Sequence, residues 1–262
     1  MARSEVRSYA CLATAFFLLQ IGFWWPTHKM TPDMGIVPDV STKRALSVMS
    51  FGDEEFMFRV MAFRLNNAGD TFGRFTALYK YDLKKVYDWF TLLDTFDNKA
   101  NILPYIAAYY FSQTQKKSDV HYMVQYLKEH SDGRLKEKWW WRTQAVYLAL
   151  HKLKDQQLAL ELAAPLENAQ GIPYWARQMP AFVHEQRGEF GDALEIVENI
   201  IKNSKDIPPS EQRFMYYFVK ERLNKLEELE KGLGKNFTPP PIEESAPKPS
   251  DDSHVEGEYP AK

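Results

Sequence analysis

Six histidines, one cysteine and a run of three tryptophans are the residues of this 262-residue chain best suited to chemistry. The histidines (His28, His121, His130, His151, His184, His254) are scattered, and none stands four residues from another, so no helix face carries a histidine pair for a metal. His184-Glu185 opens the zinc-hydrolase string H-E-x-x-H, but position 188 is glycine and the second ligand is missing. Gly232-Leu233-Gly234-Lys235 has the look of a phosphate loop yet lacks the spacing, the following Ser or Thr and the preceding strand; a helix end explains it better. No G-x-S-x-G elbow occurs to hold a nucleophile. Cys11 alone permits neither an intramolecular disulfide nor a cysteine-based zinc site, and fits either redox compartment. The expectation is a chain that is no enzyme and carries no cofactor or metal.

Trp139-Trp140-Trp141 is the more informative feature. At about 100° per residue three consecutive rings fan over about 200° of a helix, more than one core-facing stripe buries. At least one ring is then expected to reach a groove, a membrane surface or a partner. The opposing reading packs all three between neighbouring helices, where large aromatics are common.

Composition sets the frame. With 33 Lys+Arg against 35 Asp+Glu and a net charge of −2, there is no electrostatic case for nucleic acid. A hydrophobic share of 45% supplies a core, and 15% aromatics with only 12 glycines favour helices over turn-dense β architecture. The segment from Thr238 to Lys262 is rich in proline and acid and too poor in apolar residues to fold, so a disordered tail is expected at 238–262.

The start of the chain reads as an anchor. Residues 9–25, YACLATAFFLLQIGFWW, hold no charge and as a helix rise about 26 Å, close to the span of a bilayer core. Arg3 and Arg7 on one side and Trp24-Trp25 on the other predict an N-in, C-out single-pass helix with residues 1–8 in the cytoplasm. Two alternatives stay open: a cleaved signal peptide, against which the sequence after Trp25 lacks small-x-small residues, and a buried helix of the globular unit. Residues 26–40, with three prolines, are expected to form a non-helical stalk.

From 41 to 237, apolar residues recur at helical spacing in segments of common length. Asp82, Asp119, Asp155 and Asp192 are separated by 37, 36 and 37 residues, and each suits an N-cap or first turn. That period fits two helices with their turns, in which each pair buries its apolar side only against its neighbours. The expected pairs are 53–67 with 82–94 (an irregular insertion at 69–80), 101–113 with 119–130, 137–152 with 155–167, and 174–187 with 190–203, closed by a helix at 210–231.

One unit resembles the tetratricopeptide repeat (TPR): Gly188-Glu189-Phe190-Gly191-Asp192-Ala193-Leu194, then Val197 and Ile200-Ile201, is similar to that repeat's turn and second helix. Pro180 departs from the pattern and should kink the unit's first helix. The resemblance implies an all-α fold, a TPR-like α-solenoid of stacked helical hairpins preceded by a single transmembrane helix. It also implies a concave side lined by the first helix of each pair. In that register Tyr105, Tyr109, Trp141, Gln144, His151, Trp175, Gln178 and Phe182 face the groove. Arg142 and Arg177 lie nearby to meet a carboxylate, and Trp139 and Trp140 belong to the same aromatic fan.

The expected function is a membrane-anchored, non-catalytic scaffold that presents an extracytoplasmic groove to protein partners in a membrane, envelope or secretion complex. In a Gram-negative host it would sit on the periplasmic face of the inner membrane. A glycan or cell-wall binding module that stacks sugars on the tryptophans is the alternative, and a hydrolase on a helical scaffold a third. Asn236-Phe237-Thr238 fits a glycosylation sequon, meaningful only in a glycosylating host.

Overall fold

The computed structural model describes residues 3–28, 35–71, 74–204 and 207–223. The expected glycine stop after residue 231, the sequon at Asn236 and the tail from Thr238 lie outside these residues. The first helix, α1 (Arg3–Thr27), contains the one segment among the described residues long and apolar enough to cross a membrane, Arg7–Thr27. It carries Pro26 in its last turn, and none of its span is covered by the other described residues.

The remainder is helical: α2 (Lys43–Met49), α3 (Glu54–Asn66), α4 (Leu83–Asp94), α5 (Ile102–Tyr109), α6 (Lys117–Ser131), α7 (Leu135–Tyr147), α8 (Gln156–Glu167), α9 (Tyr174–Arg177), α10 (Met179–Arg187), α11 (Phe190–Asn203) and α12 (Pro209–Tyr217). Wider π-type turns extend α7 through Leu148–Leu153 and α12 through Phe218–Leu223. Strand pairing among the described residues is a two-residue ladder, β1 (Asp70–Thr71) with antiparallel β2 (Arg74–Phe75), inside the insertion expected at 69–80.

Local chemistry explains where helices start and stop. The carboxylates of Asp53, Asp82 and Asp155 accept from the backbone N–H three residues on, at 2.8, 3.0 and 2.9 Å, and satisfy donors that the first helical turn leaves unpaired. Asp119 and Asp192 sit inside the first turns of α6 and α11, where a negative charge meets the positive end of the helix. The helix expected over 174–187 is broken at Gln178, so Pro180 falls in the first turn of α10, where its missing N–H costs no hydrogen bond. Gly188, at φ 78°, ends α10 in the left-handed region.

Packing follows the chain. The main contacts run α4 with α6, α6 with α7, α7 with α8, α8 with α10, and α10 with α11, while α5 packs on α6 and α9 on α12. The larger core runs from Val37 to Val183 and includes Leu65, Val86, Phe90, Phe111, Tyr126 and Leu162. A smaller one, from Ala181 to Val219, joins α10, α11 and the segment after α12. Each large side chain so covered contributes about 1.5–3 kcal/mol of hydrophobic stabilisation.

Residues 35–40 are strapped to this unit. Val37 is buried, the indole N–H of Trp89 donates to the carbonyl of Pro38 at 2.9 Å, and Lys85 meets Asp39 at 2.5 Å. A second tie closes the insertion, where the Tyr81 hydroxyl donates to the carbonyl of Ala68 at 2.5 Å. The adjoining Gly69 has φ 77°, and a Cβ there would lie 2.1 Å from the Tyr81 oxygen.

Gly69→Ala therefore combines a strained backbone with eviction of a buried phenol. It should destabilise the protein by about 2–3 kcal/mol, read as a lowered Tm in detergent by circular dichroism. An unchanged Tm would show that the Gly69–Tyr81 contact is not a constraint on the fold.

Candidate functional site

α5 reads Ile-Leu-Pro-Tyr-Ile-Ala-Ala-Tyr, and burying Leu103, Ile106 and Ala107 turns Tyr105 and Tyr109, four residues apart, to the opposite side. Their rings lie 5.1 Å apart, and both are exposed. α7 repeats the arrangement: Trp141, Ala145 and Val146 face the core, while Trp140 and Tyr147 stand out and Gln144 is half-buried between them. The two helices meet at this surface through the indole N–H of Trp140, which donates to the Tyr109 hydroxyl at 3.1 Å.

Trp175 of α9 completes the cluster. Trp139, Trp140 and Trp175 meet edge to face, with centroids 5.6, 5.3 and 6.0 Å apart and planes within 10° of perpendicular. At the other end of the run, Tyr105 and Tyr109 line a cleft of about 440 Å³ with Asn66, Asp70, Thr76 and Tyr110. Tyr81 is also in its wall, and burial, reinforced by Tyr110, pushes its phenol well above the usual tyrosine range. His151 continues the α7 side one turn beyond Tyr147, with rings 4.6 Å apart; burial and then Lys154 lower its pKa, which favours the neutral imidazole.

The other expected groove residues do different work. Trp141 is buried and donates its indole N–H to the Asn101 side chain at 3.0 Å. Arg142 is buried too: its Nε donates to Ser131 Oγ at 2.9 Å, and its terminal nitrogen reaches the Lys128 carbonyl and pairs with Asp132. It clamps α7 against the C-terminal end of α6, where a cation is favoured. Arg177 donates to the Glu167 carbonyl at 2.7 Å, with its guanidinium 5.5 Å from the Tyr174 ring. Phe182 packs edge to face on Phe214 and Phe218 in the smaller core. Gln178 is fully buried at the α9–α10 break, with neither amide atom paired among the described residues.

A polar knot that no sequence motif announces joins α4 and α6. His130 Nδ1 lies 2.6 Å from one oxygen of Asp94, and the Tyr126 hydroxyl donates to the other at 3.0 Å. A carboxylate that orients a histidine is half of a nucleophile-activating relay, but His130 Nε2 is buried and has no hydrogen-bond partner among the described residues, so none of their hydroxyls or thiols stands ready there. Asp94 and His130 are 36 residues apart, one period of the aspartate spacing, and that was the signal available in the sequence.

Among the described residues, the side chains able to share a metal are those of His184, Glu189 and Asp192, whose ligand atoms lie within 4.8 Å of one another. Arg187 Nε already sits 2.8 Å from Glu189, so the group works as an ion-paired clasp across the α10–α11 turn. Hydrogen bonds from His184 and then Arg187 hold the Glu189 carboxyl below the usual carboxylate range. Comparison with protein-family models, curated proteins and solved structures finds no match for this chain.

Two outcomes follow. Arg142→Ala should lower stability by about 2 kcal/mol, because it strips Ser131, the Lys128 carbonyl and Asp132 of their partner, whereas Trp140→Ala should cost under about 1 kcal/mol; thermal unfolding of both variants checks the contrast. For Glu189, a pKa depressed on folding means that its stabilisation is present above the ordinary carboxylate range and is lost as pH falls through the folded value. The Tm advantage of the unaltered protein over Glu189→Gln should therefore shrink between about pH 6 and about pH 3. An advantage that grew on acidification would contradict the assignment.

Proposed function

We propose that this chain is a membrane-anchored, non-catalytic scaffold. Its helices form a TPR-like α-solenoid, and the aromatic run from Trp175 through Trp140 to Tyr109 and Tyr105 is the face that takes a protein partner. One observation carries the reading: half-buried and exposed aromatic rings from three successive helical units join into one surface that opens on a cleft. Rigid aromatics with one polar atom each are the side chains most often found at the centre of protein interfaces.

The order of contacts supports the solenoid. The second helix of one pair packs on the first of the next, α6 on α7 and α8 on α10, and first helices touch in turn, α5 with α7 and α7 with α9. The repeat-like turn from Gly188 to Leu194 supplies the local likeness. In this reading α1 spans the membrane N-in and C-out, with Arg3 and Arg7 inside and the folded unit outside, in the periplasm of a Gram-negative host. The anchor confines the domain to a surface layer, which raises the local concentration of membrane partners and lets a modest groove affinity suffice.

A sugar platform needs a free ring plane. Edge-to-face packing commits much of the Trp139, Trp140 and Trp175 faces to one another, which favours the protein partner over glycan. No nucleic acid, metal or cofactor enters the mechanism proposed here.

Crosslinking in intact membranes tests the reading. The unaltered chain should yield a specific adduct with another membrane or envelope protein. Trp140→Ala combined with Tyr109→Ala should cut its yield by about 10-fold or more, as loss of central aromatic anchors does, without altering the helical spectrum. An adduct pattern indifferent to the double substitution, or adducts of the chain with itself alone, would overturn it.

A further inference from the structure

The α2–α3 turn carries an apolar tip with no cover from the described residues. Val48, Met49, Phe51 and Phe56 all stand in solvent, and Phe51 is 98% exposed. The residues from Ala45 to Gly52 hold no charge, and of their large apolar side chains only Leu46 turns into the core. Phe51 also sits at φ 51°, a left-handed conformation disfavoured for a residue with a Cβ. The turn that holds it there is pinned: Ser50 Oγ donates to the Ser47 carbonyl at 2.7 Å, and the N–H groups of Gly52 and Asp53 donate to the Ser50 hydroxyl and carbonyl at 3.3 and 3.0 Å.

Three acids follow the tip, and each has a hydrogen-bonded or ion-paired partner. Asp53 caps α3, Glu54 accepts from the Ser47 hydroxyl at 2.8 Å, and Glu55 pairs with Arg59. Their charge is thereby partly offset next to an apolar surface.

Chain length says what lies near. Only nine residues separate Thr27, at the end of α1, from Val37, which is buried in the core, and Trp89 and Lys85 fasten the two residues after it. Fully extended, that link reaches at most about 35 Å, so the first helices of the folded unit cannot leave the neighbourhood of the bilayer. Bulky apolar and aromatic side chains on a short helical turn are what the interfacial layer of a membrane accepts.

We propose that the α2–α3 tip dips Val48, Met49 and Phe51 into the interfacial layer of the bilayer that α1 spans, as a second, shallow membrane contact with lipid as its occupant. The inference rests on the anchor reading given above. Two contacts fix the tilt of the folded unit, where a single helix leaves it free to turn, and so give the aromatic face a constant aspect toward partners in the membrane. Because the contact is apolar, it is insensitive to salt, unlike attraction to anionic headgroups.

The test uses the full chain with Cys11→Ser, reconstituted in vesicles of phosphatidylcholine and phosphatidylglycerol. An environment-sensitive nitrobenzoxadiazole label is placed in turn at Leu18→Cys, Phe51→Cys, Val48→Cys and Glu195→Cys. The expected result is loss of fluorescence to doxyl lipid at 18, 51 and 48, protection of those three from aqueous iodide, the reverse at 195, and no change in high salt. A label at 18 quenched by doxyl lipid, with those at 51 and 48 quenched only by iodide, overturns the tip contact and leaves the anchor standing. A label at 18 open to iodide overturns both. Labels at 51 and 48 hidden from both quenchers put protein on the tip and overturn the lipid assignment.

Discussion

The folded unit after α1 depends on a shortage: its long helices bury one apolar side, and a helix pair does not cover that side by itself. On α4 the stripe Leu83, Val86, Phe90 and Leu93 is fully enclosed, and the enclosure comes from elsewhere in the chain. Phe90 packs on Phe111 and Tyr126 from the following pair, at 5.8 and 5.0 Å. Successive pairs are therefore obliged to stay in contact, since separating them would expose two stripes to water at once. Polar ties at the rim, Asp94 with His130 and Arg142 with the end of α6, set how neighbours are registered once burial has brought them together.

This arrangement leaves a second face over. A first helix that gives Leu103 and Ile106, or Trp141 and Val146, to the core must present other residues outward, and in α5 and α7 those include Tyr105, Tyr109, Trp140 and Tyr147. The cost of exposing them is offset in part by their contacts with one another, Trp140 with Tyr109 and with Trp175. A surface so built is stable without an occupant and still has apolar area to give to one. That is the physical basis for reading it as a docking face for protein.

Residues that act through local chemistry were legible in the sequence. The aspartates at 82 and 155 cap helices because capping depends on the next three residues alone, and Pro180 marked a break that falls at Gln178. The tryptophan fan separated as its geometry requires, with Trp141 inward and Trp140 outward. What escaped depends on distant partners or on short elements. α2, of seven residues, is too short to show a period, and with it went the exposed Phe51. The strap at Pro38 is a side chain-to-backbone bond from a tryptophan 51 residues away. Arg142, at a position suited to meeting a ligand carboxylate, turns instead to Asp132 and Ser131 across a tight turn.

If the aromatic face takes a protein partner, it is open on the isolated protein and covered in the membrane. Hydroxyl-radical footprinting of the full chain in native membranes and after purification in detergent measures this residue by residue. Oxidation of Tyr105, Tyr109 and Trp140 should fall sharply in the membrane sample, while that of Tyr217, exposed on α12, stays the same. Equal oxidation of the three aromatics in both samples would contradict the account.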